Sequence, residues 1–94
     1  MAKFERQLHA RDSELVRWVD EAVLGGMQAE LIDSSVQRLS GMRISLWCLQ
    51  LERGTATLQI IAGDNGETTV TAISAAADFV DGVETLLETF QPTK

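Results

Sequence analysis

Residues 42–74 limit the fold more than any other part of the chain. They hold three strand-like segments, MRISLWCLQLE, TATLQIIAG and ETTVTAIS, joined by tight turns at Arg53-Gly54 and Asp64-Asn65-Gly66. Asn-Gly is a strong hairpin signal, because a type I′ turn needs φ > 0 at both central residues. The segments therefore read as an antiparallel meander, and the flanking sequence reads as elements that cover or extend it.

Residues 3–9 (KFERQLH) alternate weakly, with Phe4 and Leu8 on one face and Glu5, Gln7 and His9 on the other. This predicts a strand at or near a sheet edge, although Arg6 shares the apolar face. A helix follows, with Asp12 or Ser13 as its N-terminal cap and Glu14 at the positive end of the dipole. Leu15, Val16, Val19, Ala22 and Val23 form its apolar stripe, and Gly25-Gly26 ends it, glycine being suited to a left-handed cap. Residues 27–32 alternate again and predict a strand. The link to the meander is either a turn at Asp33-Ser34-Ser35 or a looser loop through Ser40-Gly41. Val36 and Leu39 either extend the strand irregularly or anchor that loop.

Within the meander, one phase collects Met42, Ile44, Leu46 and Cys48, then Ala56, Leu58, Ile60 and Ala62, then Val70 and Ala72. Being almost wholly apolar, it is expected to face the helices. The other collects Arg43, Ser45, Trp47, Leu49 and Leu51, then Thr55, Thr57, Gln59 and Ile61, then Thr69, Thr71 and Ile73. Half polar and rich in threonine, it is expected to meet water or a partner.

Residues 77–90 predict a second amphipathic helix. Phe79, Val80, Val83, Leu86, Leu87 and Phe90 form its apolar stripe, Asp78, Asp81, Glu84 and Glu88 its polar side, and Gln91-Pro92 its end. Gly82 either admits close packing or is a tolerated surface glycine costing about 1 kcal/mol against alanine.

The order is β-α-β-β-β-β-α, an α+β domain spanning residues 1–94. Four consecutive strands form a meander, and the first strand pairs most economically beside the last, giving the sheet order 1-5-4-3-2 with both helices on one face. This order resembles the TATA-binding-protein-like and helix-grip folds, in which an antiparallel sheet curves around a long C-terminal helix. A resemblance of topology implies no activity. The opening MAKFE, the helix ending VLGG, the strand QAEL before Asp33-Ser34 and the closing FVDGVETLLETF also resemble a family of short uncharacterised bacterial proteins. That resemblance implies no activity and no functional residues.

The chemistry-bearing residues are few. His9 is the sole histidine and reads as a surface residue. With one histidine and one cysteine, ligands for zinc or another transition metal are scarce. Asp64-Asn65-Gly66-Glu67 suggests calcium ligation only superficially, since it lacks the long loop and terminal bidentate glutamate of an EF-hand. Cys48, between Leu46 and Gln50, reads as a small buried apolar residue. No Ser-His-Asp arrangement, phosphate-cradling glycine loop or dinucleotide fingerprint is present. The expectation is a non-enzyme without cofactor or metal.

Net charge is −6, and the basic residues of the first half are scattered among acids, which disfavours nucleic acids and anionic membranes as partners. No run approaches the ~18 apolar residues of a membrane span, and the N-terminus lacks the apolar core of a signal peptide. With the lone cysteine, these features point to a cytoplasmic protein.

The apolar members of the second phase, Trp47, Leu49, Leu51, Ile61 and Ile73, then form the candidate interface. The alternative is a strand bulge that turns Trp47 or Leu49 inward. Trp18 and Leu24, off the main stripe of the first helix, either add to an interface or border the core. Two functions follow: an interaction module that homodimerises through the exposed sheet face, or a binder of small apolar ligands gripped by the last helix, with Thr57, Gln59 or Thr71 as polar contacts.

Overall fold

The computed structural model describes residues 1–91. Strand β1 (Ala2–His9) leads into α1 (Asp12–Trp18), which runs on into a wider π-type segment, Val19–Leu24. Strands β2 (Ala29–Leu39), β3 (Met42–Leu51), β4 (Gly54–Ala62) and β5 (Glu67–Ser74) follow, and α2 (Ala77–Glu88) closes the fold. The strands form one antiparallel sheet in the order β1-β5-β4-β3-β2, the α+β arrangement that the order of elements predicts.

The turns differ from expectation in an instructive way. Both central residues take positive φ at Ser40-Gly41, 50° and 79°, so this turn has the type I′ requirement and β2 runs unbroken to meet it. Asn65-Gly66 instead lies in a longer loop with only Gly66 at positive φ, 83°. The Gly63 N–H donates to the Glu67 carbonyl at 3.0 Å, and the Asn65 side chain accepts from the Glu67 N–H at 3.0 Å. The remaining hairpin turns on Glu52-Arg53, one position earlier than expected, because Leu51 pairs with Gly54.

That pairing corrects the phase of β3. Two residues between paired positions place odd-numbered β3 residues beside even-numbered β4 residues: Trp47 opposes Leu58, and Leu49 opposes Ala56. Trp47, Leu49 and Leu51 therefore lie on the helix-covered side and are buried with Leu58, Ile60, Val70 and Ala72. Ile44, Leu46 and Cys48 take the open side instead.

Helices α1 and α2 cover this core with Leu15, Trp18, Val19 and Val23, and with Phe79, Val80, Val83 and Leu87. Trp18 is part of the core and meets Phe90 edge-on, with ring centroids 6.4 Å apart. Arg11, not Asp12 or Ser13, occupies the N-cap, without a side-chain cap bond. Asp12 is drawn off towards Arg43, whose Nε lies 3.3 Å from its Oδ2. Gly25 follows the π-type segment at φ −89°, so it is not a left-handed cap. A Cβ there would lie 2.7 Å from the Glu21 carbonyl oxygen, and clearance explains the glycine.

Helix α2 ends at Glu88, two residues short of the expected end, and Pro92 lies outside the described residues. The Ser74 hydroxyl accepts from the Ala76 N–H at 3.0 Å and steers the chain from β5 into α2. Arg6 does lie on the helix side of β1. Its guanidinium passes over Phe4, 5.2 Å from the ring centroid, and reaches to 3.7 Å from Glu84 of α2. The stem covers apolar surface while the charge meets a partner in water. Lys3, Glu5, Gln7 and His9 complete β1 with exposed polar side chains.

Candidate interaction surface

Strand β2 is the outermost strand next to β3, and the helices leave most of it uncovered. Every residue from Glu30 to Leu39 is exposed. Leu31 is 49% exposed, Ile32 56%, Val36 53% and Leu39 60%, and Met42 opposite Leu39 is also exposed. Apart from Met1, all the large hydrophobic side chains exposed among the described residues sit on this one hairpin. An open edge also carries backbone N–H and C=O groups that no neighbouring strand satisfies.

The edge has two local features. The ladder to β3 shifts between Leu31 and Asp33, so Ile32 is the extra residue of a bulge. Beyond it, Asp33 to Leu39 pair regularly with Cys48 to Met42. Charge is divided along the strand, with Glu30 and Asp33 in the first half and Arg38 in the second. The Asp12–Arg43 ion pair fastens the turn end of this hairpin to the start of α1.

Of the five residues expected at the interface, the structure therefore removes three. Trp47 is 6% exposed, and Leu49 and Leu51 are buried as well, because β3 runs in the opposite phase. Ile61 and Ile73 do lie on the open sheet face, both partly buried. They do not adjoin, since Ile61 opposes Thr69 and Ile73 lies four positions further along β5. Ile44, Leu46 and Cys48 share that face, partly screened by the threonines and glutamine of β4. Cys48 is thus partly accessible on this face, not enclosed in the core.

The apolar surface of β2 was legible only in part. Val36 and Leu39 gave a weak signal, because an edge strand exposed on both faces shows no alternation between buried and wet positions. The Ser40-Gly41 dipeptide was the usable clue to its length.

Elsewhere the polar groups serve structure. His9 Nδ1 lies 3.1 Å from Glu67 Oε1, with most of the imidazole in water. The Thr68 hydroxyl donates to the Ala10 carbonyl at 2.8 Å and anchors the start of the segment leading into α1. Thr57 and Gln59 alternate with the core residues of β4 and point away from α2, and Thr71 donates to Glu5 across the same open face at 3.4 Å. None of these three groups lines the space between α2 and the sheet, which Phe79, Val80, Val83 and Leu87 fill. A surface recess beside α1 mixes Arg11 and Arg17 with Glu14 and Glu21 over Trp18 and Phe90. Among the described residues, no group of three or more His, Cys, Asp or Glu is placed to hold a metal ion. Nor is any described helix long and apolar enough to cross a membrane.

Comparison with known proteins adds no assignment: no family model and no curated protein matches the chain.

Proposed function

We propose that this protein is a non-enzymatic interaction module of the cytoplasm that associates with itself through the β2–β3 hairpin. One observation carries the reading: exposed large hydrophobic side chains other than Met1 are concentrated on this hairpin, along an open sheet edge. Clustered apolar exposure marks contact surfaces, and an open edge adds directional backbone hydrogen bonds to the non-directional apolar attraction. The surface differs from the one that sequence alone suggests, since Trp47, Leu49 and Leu51 support the core and Ile61 and Ile73 stand apart on the open face. The free thiol of Cys48, partly accessible on that face, suits a reducing compartment.

Sedimentation equilibrium on the wild type and on the double variant Ile32→Glu/Val36→Glu tests this. Both positions are exposed, so the variant is expected to keep its fold by circular dichroism and to sediment as a monomer where the wild type does not. A wild type that stays monomeric, or a variant that associates as the wild type does, would refute the reading.

A further inference from the structure

Resting on the self-association just proposed, we infer that two copies join β2 to β2 in an antiparallel manner about a two-fold axis at Ser34, making one continuous sheet with five strands from each copy. The first support is backbone direction. A two-residue turn closes on a hydrogen-bonded pair, here Leu39 with Met42. Alternation along an antiparallel ladder then makes Gln37, Ser35 and Asp33 the residues bonded to β3. Arg38, Val36 and Ser34 are left with their own N–H and C=O groups directed away from the sheet, the Ser34 N–H meanwhile donating to the Asp33 carboxylate at 2.9 Å, a local bond that an incoming strand must displace. These groups can be satisfied by a further strand.

The second support is self-complementarity. Strands joined about a perpendicular two-fold share their faces, so helix-side residues must meet helix-side residues. Ser34 and Val36 lie on that side, opposite Trp47 and Ser45 of β3. An axis at Ser34 sets Leu31 of one copy beside Val36 of the other, twice, with Ile32 as the bulged residue, and pairs Ser34 with itself. The bulge absorbs one residue, which brings Glu30 beside Gln37 and Ala29 beside Arg38 of the other copy. Asp33 meets Ser35.

Charge argues for the same occupant. The antiparallel arrangement lays the acidic half of each β2, with Glu30 and Asp33, along the basic half of the other, with Arg38. No like charges stand opposite one another, whereas an axis at Asp33 or at Arg38 would place each against itself, which is destabilising. Bare approach of two chains of net charge −6 is unfavourable, and the arginine-bearing half of this edge offsets that repulsion locally. A strand from a different protein would satisfy the backbone equally well, but the strand's own sequence already supplies the matching partner.

The register is tested by cross-linking the full chain. In a Cys48→Ser background, Ser34→Cys places two thiols on residues whose Cα atoms lie about 5.5 Å apart, the spacing of a hydrogen-bonded pair and within the Cα range that a disulfide spans. Mild oxidation is expected to convert most of this variant to covalent dimer, with Ser35→Cys reacting far less and Gln59→Cys, on the open face, no faster than chance collision. A second variant, Val36→Pro, removes an outward N–H that the fold itself does not use, and proline is tolerated at such edge positions. It is expected to give a folded monomer. Equal cross-linking at residues 34 and 59, or a dimer that survives Val36→Pro, would overturn the β2–β2 arrangement while leaving self-association standing. A chain that is monomeric with the edge intact would overturn both and leave the edge to a strand of another protein.

Discussion

The terminal methyl of Met27 rests against Gly82 of α2, only 2.7 Å from the position a Cβ would take there. Gly82 therefore sits at a close contact between the segment before β2 and the last helix. The neighbour is the flexible end of a methionine, however, and not backbone. Alanine should displace the methyl by a rotamer change while gaining about 1 kcal/mol of helix propensity. Gly82→Ala is expected to leave thermal stability unchanged or slightly raised. A loss above about 2 kcal/mol would mean that Met27 is held too firmly to yield.

The phase of β3 predicts a contrast between two large residues. Trp47→Ala removes a buried indole opposite Leu58 and should cost about 3–5 kcal/mol in urea unfolding. Ile73→Ala trims a partly solvated side chain on the open face and should cost less than about 2 kcal/mol. The reverse order would restore Trp47 to the surface.

Two equally buried serines should respond with opposite signs. Ser45, opposite Ile60, has a hydroxyl with no hydrogen-bond partner among the described residues. Ser45→Ala removes that unsatisfied group and is expected to stabilise the fold by about 1 kcal/mol. The Ser74 hydroxyl donates to the Thr55 carbonyl at 2.8 Å and accepts from Ala76. Ser74→Ala should cost about 1–3 kcal/mol, since it strands a donor and an acceptor near the start of α2. Equal effects in unfolding curves would remove the distinction.

Cys48 lies on the open face beside Thr57, opposite Asp33. It should be titrated by an aromatic disulfide reagent in the native protein, more slowly than in the denatured chain. Reaction only after denaturant is added would place the thiol in the core.

The course of the chain was legible because its local signals agree. Turn residues separate segments of alternating character, and two apolar stripes at helical spacing fix the helices. What was not legible has a specific cause. Strand β3 is apolar in both phases, with Ile44, Leu46 and Cys48 on one side and Trp47, Leu49 and Leu51 on the other, so alternation alone cannot orient it. The neighbouring strand can. Ala56, Leu58 and Ile60 alternate cleanly with Thr55, Thr57 and Gln59, and counting across a two-residue turn carries that orientation back to Trp47. Trp47, Leu49 and Leu51 were misplaced at this step, while Ile61 and Ile73 keep the open face, and the β2 edge gave little signal because exposure on both faces leaves no periodicity to detect.

The polar row along β1 has a consequence for growth. Strands that accept neighbours at both margins of a sheet add head to tail and lengthen into fibres, whereas a two-fold contact consumes its surface in each copy. Lys3, Glu5, Gln7 and His9 make the β1 margin a poor acceptor, so the proposed β2–β2 contact would leave a closed margin on each outer side of the pair. Under that proposal, replacing those four polar side chains with valine is expected to open the outer margins and let the pairs polymerise.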